Sequence, residues 1–194
     1  ETQAGPGLPF DDKIYSLGYS VFLENRNLED AWRVAQAAVQ QSPHHMVWRE
    51  RLAQVSEWTL RLEMALKHWL VLARSTQQDS AWQAVLRLAP GQFDDAALIE
   101  ALHFELQRQP GNETLLTELV AAYERIGTPQ PAIDYLRQQA PTPRTLEMLA
   151  GLAQRAGDLY AMLYWLKGQP WADHSRVVAA GWSHGGWTAL DAMA

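Results

Sequence analysis

Apolar residues recur at helical spacing between Asn112 and Gln139, in two stretches separated by Gly127 and Pro129. The two apolar stripes consist of Leu116, Leu119, Val120 and Tyr123, and of Ala132, Tyr135 and Leu136. A helix of about 12–15 residues is marginal in water on its own. The pattern therefore predicts a helix-turn-helix pair that needs similar pairs on either side to bury its stripes.

The same pattern recurs along the chain at a nearly constant interval. Matching residues lie 34 positions apart at Ala31 and Ala65, Ala35 and Trp69, and Ala38 and Leu72. The separation of Pro43 and Pro110 is one position short of two such periods, and we place this one-residue deletion at the turn 89–91. Gly157 follows Gly127 at a slightly shorter interval, which extends the pairing toward the C-terminus.

These intervals predict an all-α protein of about five helix pairs. We expect an irregular leader over residues 1–12, a helical repeat array over 13–168 and a tail of different character over 169–194. Cap and breaker residues such as Asn27 and Pro43 mark the helix ends. The clearest helices are predicted at Leu28–Gln41, His45–Trp58, Leu60–Arg74, Asp79–Leu88 and Phe93–Arg108.

The composition fits one globular domain or one short repeat array. The 194 residues are 47% hydrophobic and 20% charged, which is enough apolar surface for a sizeable core. Lys and Arg number 16 against 22 Asp and Glu, giving a net charge of −6 without a long basic run. Nucleic acid and anionic membranes are therefore poor partners for this segment.

The sequence argues against cysteine chemistry, a membrane-spanning helix and an export leader. The chain has no cysteine, which excludes disulfides and thiolate chemistry. Its apolar runs fall short of the roughly 20 residues of a membrane-spanning helix. Because the chain opens on Glu1, without Met or an export leader, we expect it to be a fragment or a processed chain.

The helix pairs share a residue order as well as a spacing. The order is carried by Leu116, Leu119, Val120, Tyr123, Gly127, Ala132 and Leu136, by Leu52, Ala53, Ala65 and Trp69, and by Ala31, Ala35, Ala38 and Pro43. It resembles the tetratricopeptide (TPR) repeat family. This resemblance implies a right-handed superhelical solenoid that acts in protein–protein interaction. The third pair departs from the pattern, since Ala97 and Pro110 cannot both hold their family positions.

A narrower resemblance rests on the N-terminal part of the chain. Pro9-Phe10 through the run Asp30–Ala35 is similar to the periplasmic TPR region of outer-membrane export proteins for the Pel exopolysaccharide of Gram-negative bacteria. The resemblance implies a periplasmic scaffold that holds a polysaccharide-modifying enzyme next to an export pore during biofilm formation. A cytoplasmic location is the alternative.

The tail has a different character. Arg176–Ala180 is typical of a short strand, Gly181–Gly185 is a Gly-x-Ser-x-Gly turn, and Thr188–Met193 is typical of a helix. Residues 176–193 thus resemble the nucleophile elbow of α/β-hydrolases, which implies Ser183 as a nucleophile. That family places an acid and a His after the Ser, and only His184 and Asp191 follow here. A serine esterase is the alternative to a truncated, fused or capping segment.

The leading candidate site is the polar surface of the first helices of the pairs. Its candidate groove residues are Glu50, Gln54, Glu57, Gln83, Arg87, Thr117, Glu124, Glu147 and Gln154. Because this set leans acidic, we expect a protein partner with basic or amide-rich residues and no catalysis. We expect no metal or cofactor, since His44-His45 lack a third ligand and Asp94-Asp95 are placed to cap a helix.

Nine tryptophans suggest a second alternative, a glycan-binding module, because indole faces stack on sugar rings. Helical spacing instead favours core packing for Trp32, Trp48, Trp69, Trp82 and Trp165. Trp58 lies at a helix end, where helical spacing does not distinguish core packing from sugar stacking. The last pair ends on Met162, Leu163, Trp165 and Leu166, so its outer face is expected to contact another repeat, another chain or the tail.

Overall fold

A computed structural model describes residues 10–128, 130–152 and 154. Within these residues every regular secondary-structure element is a helix, which confirms the all-α prediction there. The elements are α1 (Asp12–Glu24), α2 (Leu28–Gln41), α3 (Met46–Trp58), α4 (Leu62–Thr76), α5 (Asp79–Leu88), the 3-10 turn η1 (Pro90–Gln92), α6 (Asp95–Arg108), α7 (Glu113–Arg125), α8 (Gln130–Gln138) and α9 (residues 143–152). The predicted strand of the tail lies outside the described residues.

The helices recur with a nearly fixed period. The first helices of the pairs begin at Asp12, Met46, Asp79 and Glu113, so that the second of the three steps is one position shorter than the other two. The turns that follow contain a residue with positive φ at Arg26, Leu60, Phe93 and Gly127, in the same steps. Each of these turn residues lies 14 positions after the start of its first helix. The part of the chain that the structure describes is therefore built from a repeated helix-turn-helix unit.

The one-residue deletion lies between α4 and α5, so its predicted position at the turn 89–91 is wrong. The interval from the start of α4 (Leu62) to the start of α5 (Asp79) is one position shorter than the equivalent interval in the preceding repeat. That interval runs from the start of α2 (Leu28) to the start of α3 (Met46). Pro90 suggested the wrong position because it ends α5 early. Proline has no N–H to donate to a helical hydrogen bond. The chain continues as a 3-10 turn over Pro90–Gln92, which restores the common length of the first helix.

Side chains at the helix N-termini accept hydrogen bonds from free backbone N–H groups. Asp11, Asn27, Asp94 and Asn112 cap α1, α2, α6 and α7 in this way. The capping roles predicted for Asn27 and Asp94 are therefore confirmed. At α9, the Thr142 hydroxyl accepts from the Thr145 N–H while the Thr145 hydroxyl accepts from the Thr142 N–H, a reciprocal cap.

The chain divides into two compact units, Glu1–Phe93 and Asp94–Ala194. The core of the first unit forms where small residues of α2 meet large residues of α1 and α3. Its buried residues include Ala31, Ala35, Ala38, Tyr19, Trp48, Leu52 and Val55. The Trp48 ring packs edge-on against Tyr19, with the ring centres 5.7 Å apart. Core packing is confirmed for Trp48, Trp69 and Trp82, while Trp32 is half-buried.

Within the first unit, helices of the same kind contact each other. Arg51 of α3 donates to the Ser16 hydroxyl of α1 at 2.9 Å, which joins two first helices. Glu29 of α2 accepts from Arg61, the residue before α4, at 2.8 Å, which joins two second helices. Successive helices also pack on each other from α1 to α5. In the first unit α1 is thus joined to α3, and α2 to the residue that precedes α4.

In the second unit, α7 packs against both α6 and α8. Fully buried leucines fill this unit, among them Leu98, Leu102, Leu106, Leu116 and Leu119. Arg125 at the end of α7 forms an ion pair with Asp95 at the start of α6, with 2.6 Å between nitrogen and oxygen. His103 of α6 shares a 2.9 Å hydrogen bond with the Tyr123 hydroxyl of α7.

Candidate interaction surface

The predicted groove residues of the first unit lie on α3 and α5. Glu50 and Gln83 are exposed, and Gln54 is half-buried. These three polar side chains lie on the first helices α3 and α5 and are at least partly open to solvent.

Glu57 and Arg87, also predicted for the groove, bind each other. The two Arg87 nitrogens lie 2.6 and 3.1 Å from the Glu57 carboxylate, and the Trp69 indole donates to the same carboxylate at 2.6 Å. The hydrogen bond with Glu57 raises the pKa of Arg87. Glu57 is only 12% exposed, so it joins α3, α4 and α5 within the unit instead of facing a partner.

A second arginine connects neighbouring pairs in the same unit. Arg61 donates to both carboxylate oxygens of Glu29, at 2.9 and 2.8 Å, and its guanidinium lies 4.2 Å from the centre of the Trp32 ring. The Trp32 indole donates to the buried Ser56 hydroxyl of α3 at 3.1 Å. Trp32 is therefore engaged on its face and on its polar edge, which favours packing over sugar stacking.

In the second unit, the predicted groove residues differ in exposure and in hydrogen-bond partners. Thr117 and Gln154 are exposed, and Glu147 pairs with Arg144 at 2.8 Å. Glu124 is 3% exposed, so its predicted surface position is wrong. It lies one helical turn after Val120, at i+4, and therefore on the same buried face of α7.

The turns of the second and third pairs expose large apolar side chains that the sequence reasoning missed. Leu60 and Phe93 are 81% and 92% exposed, with φ of 59° and 54°, and Trp58 beside Leu60 is half-exposed. The position of Gly127 in the sequence could have predicted these two turn residues. A glycine after a first helix is typical of a left-handed turn residue, and counting back by one and two repeats leads to Phe93 and Leu60.

The pKa values of two histidines lie below the ordinary value. Burial, with the charges of Arg49 and Lys67, lowers the pKa of His68 to about 4, and its Nδ1 lies 3.2 Å from an Arg49 nitrogen. Burial also lowers the pKa of His103, beside Tyr123. Among the described residues, the His, Asp and Glu side chains form no cluster of three that could hold a metal ion.

The second unit has a shallow cleft at the ends of its helices. It has a volume of about 180 Å³ and lies between Pro110, Leu116, Gln139, Thr142 and Thr145. Ligand pockets usually measure about 300–1,000 Å³. The cleft is thus too small to enclose a typical small-molecule substrate.

Ser183, His184, Asp191 and Trp165 lie outside the described residues.

Comparison with known proteins gave no matching family model and no matching curated protein. In the described part of the chain, each helix is too short or too polar to cross a bilayer. The fold and the surface therefore define a class, all-α proteins built from repeated helix pairs.

Proposed function

We propose that this chain is a non-catalytic scaffold that binds a protein partner through the first-helix side of its repeats. The observation that carries the proposal is the common register of the first helices, which begin at Asp12, Met46, Asp79 and Glu113. In the first unit, α1 contacts α3, and Glu57 joins α3 to α5, while Glu50 and Gln83 stay exposed on that side. Two joined helices with exposed polar side chains, as in α3 and α5, suit an extended peptide or a partner's surface.

The same register supports a TPR-like, right-handed solenoid as the architecture. The TPR unit is a helix pair of about 34 residues, which matches the repeat of this chain. In the first unit, Arg51 of α3 bonds Ser16 of α1, and Arg61 before α4 bonds Glu29 of α2, which fits stacking of such pairs. The left-handed residue in each turn further supports one repeated unit.

The acidic charge of the second unit supports a basic partner, whereas the charges around Glu50 and Gln83 in the first unit balance. Residues 10–93 contain nine acidic and nine basic side chains, whereas residues 94–154 contain nine acidic side chains and four arginines, a net charge of −5. On the TPR and Pel resemblance, we propose a polysaccharide-modifying enzyme as partner, held near an export pore in the periplasm. A basic surface on that enzyme would associate faster at low salt.

Charge reversal on one side of the repeats tests the proposal. The test variant is Glu50→Lys with Gln83→Lys, on first helices, and the control is Glu63→Lys with Gln40→Lys, on second helices. All four side chains are exposed and both variants change the net charge equally. We expect the test variant alone to lose capture of the partner from a cell-envelope fraction. Equal loss from both variants would contradict a first-helix site.

Ser183 supports an alternative function as a serine esterase, through its Gly-x-Ser-x-Gly turn. The scaffold proposal expects no labelling by a fluorophosphonate probe. Labelling that disappears in Ser183→Ala would favour the esterase instead.

A further inference from the structure

Helix α1 has two apolar faces, and only one of them is covered. Tyr15, Tyr19 and Phe22 point toward α2 and α3. On the opposite side of the helix, Ile14, Leu17 and Val21 are 68%, 69% and 44% exposed. Residues at this spacing share one face of a helix, so the exposed side chains form a continuous apolar stripe. We call Ile14, Leu17 and Val21 the α1 stripe.

The positions of α3 and α5 that correspond to the α1 stripe are mostly buried. Its residues lie two, five and nine positions after the start of α1. The same positions in α3 and α5 hold Trp48, Arg51 and Val55, and Ala81, Ala84 and Leu88. Five of these six are buried, and Arg51 stacks over the Tyr19 and Trp48 rings. In α3 and α5, then, these positions make packing contacts, whereas in α1 the corresponding side chains are exposed.

Gly18 gives an independent indication of close approach from outside. It lies in the middle of α1, where glycine is a poor helix former. A methyl group added at Gly18 would meet nothing within 4 Å. Its lack of a side chain therefore serves no contact inside the described structure, whereas it would let a second helix come near beside the α1 stripe.

Two charges beside the stripe bear on which partner fits it. Lys13 and Glu24 are exposed, lie on the same flank of the stripe and are separated by about three helical turns. Neither has an ion-pair partner among the described residues. In an antiparallel pair of identical helices related by a two-fold axis, the same flanks meet, so Lys13 of one copy approaches Glu24 of the other, twice.

We propose that a second copy of this chain docks on the α1 stripe, with the two α1 helices antiparallel about a two-fold axis. In this register Ile14 of one copy lies opposite Val21 of the other, and Leu17 packs over Gly18. Lys13 and Glu24 pair at both ends of the contact. A single helix pair buries less area than a standard interface of about 1,600 Å², so the dimer is weak and depends on concentration.

Sedimentation velocity on the full chain, over a wide concentration range, tests the dimer. We expect a reversible monomer–dimer equilibrium for the native chain, weakened roughly tenfold or more in Leu17→Glu, because this change buries a charge in the contact. Leu17 is exposed, so the variant should keep the helical circular dichroism of the native chain. Lys67→Glu, which reverses an exposed charge on α4, is the control and should dimerise normally.

Charge exchange tests the antiparallel register. Lys13→Glu should weaken the dimer a few-fold, and adding Glu24→Lys should restore it. Failure of the second change to rescue the first would overturn the register. A chain that stays monomeric at all concentrations would overturn the dimer. If fusing a copy of residues 12–45 ahead of such a monomer raised its thermal midpoint, the stripe would instead be a surface for another helix pair.

Discussion

At the scale of single residues, Leu60 and Phe93 combine two unusual properties. Both are large and exposed, and both have the left-handed backbone conformation that glycine adopts most easily. A side chain other than glycine costs about 1–2 kcal/mol there, because its Cβ approaches the following carbonyl oxygen. The third pair thus keeps a strained phenylalanine where the fourth pair has Gly127.

Replacing this phenylalanine should stabilise the fold. We expect Phe93→Gly to raise the free energy of unfolding by about 0.5–1 kcal/mol, since strain relief exceeds the added freedom of the unfolded chain. The exposed ring contributes little burial to lose. Urea unfolding followed by circular dichroism measures the change, and Lys67→Gly, at an exposed position in the interior of α4, should lower stability by about 1 kcal/mol as the control. A destabilised Phe93→Gly would show that the ring has contacts worth more than the strain.

His68 predicts a pH dependence of stability. Its pKa is about 4 in the folded chain and near 6.5 when unfolded, so the unfolded state binds more protons between these values. Stability therefore falls as the pH falls from about 6.5 to 4, and this side chain accounts for about 1–2 kcal/mol after allowance for its partial exposure. His68→Gln should flatten this slope in urea titrations. The exposed His44→Gln is the control, and an unchanged slope in His68→Gln would contradict the assignment.

At the scale of elements, Glu57 holds three helices together. Its carboxylate accepts from the Trp69 indole on α4 and from Arg87 on α5. The two partners are not equivalent, because Trp69 is buried and Arg87 is 59% exposed. An exposed ion pair contributes little, whereas a buried donor without a partner is costly.

This asymmetry predicts unequal effects of two alanine substitutions. Glu57→Ala should lower the free energy of unfolding by about 2 kcal/mol, because the Trp69 N–H is left without its acceptor. Arg87→Ala should lower it by less than about 1 kcal/mol. Glu57→Gln, which keeps an oxygen for Trp69, should behave like Arg87→Ala. Equal losses in Glu57→Ala and Arg87→Ala would show that the ion pair, and not the indole bond, determines the effect.

Helix ends were largely predictable from the sequence, because local residues determine them. The helices Leu28–Gln41 and Asp79–Leu88 begin and end at the predicted residues, and the predicted end of Asp95–Arg108 is also confirmed. Asn27 caps one of them and Pro90 stops another. The turn at Leu60 was assigned to a helix, because nothing in a leucine indicates a left-handed backbone.

The candidate site was less predictable, because partners distant in sequence decide which polar side chains face solvent. Glu57 and Arg87 lie in different repeats and bind each other, which spacing within a single helix does not show. Glu124 is buried although it is charged, since it shares a helix face with Val120. Glu50 and Gln83 remain exposed, as predicted.

At the scale of the whole molecule, the central claim is a scaffold whose first-helix side meets a protein partner. A photo-crosslinking residue placed at Glu50 or at Gln83, both exposed on first helices, tests it most directly, with Gln40 and Lys67 as exposed controls on second helices. The account predicts crosslinks to one and the same protein from the first two positions and none from the controls. Crosslinks only from Gln40 and Lys67, or equally from all four positions, would contradict it.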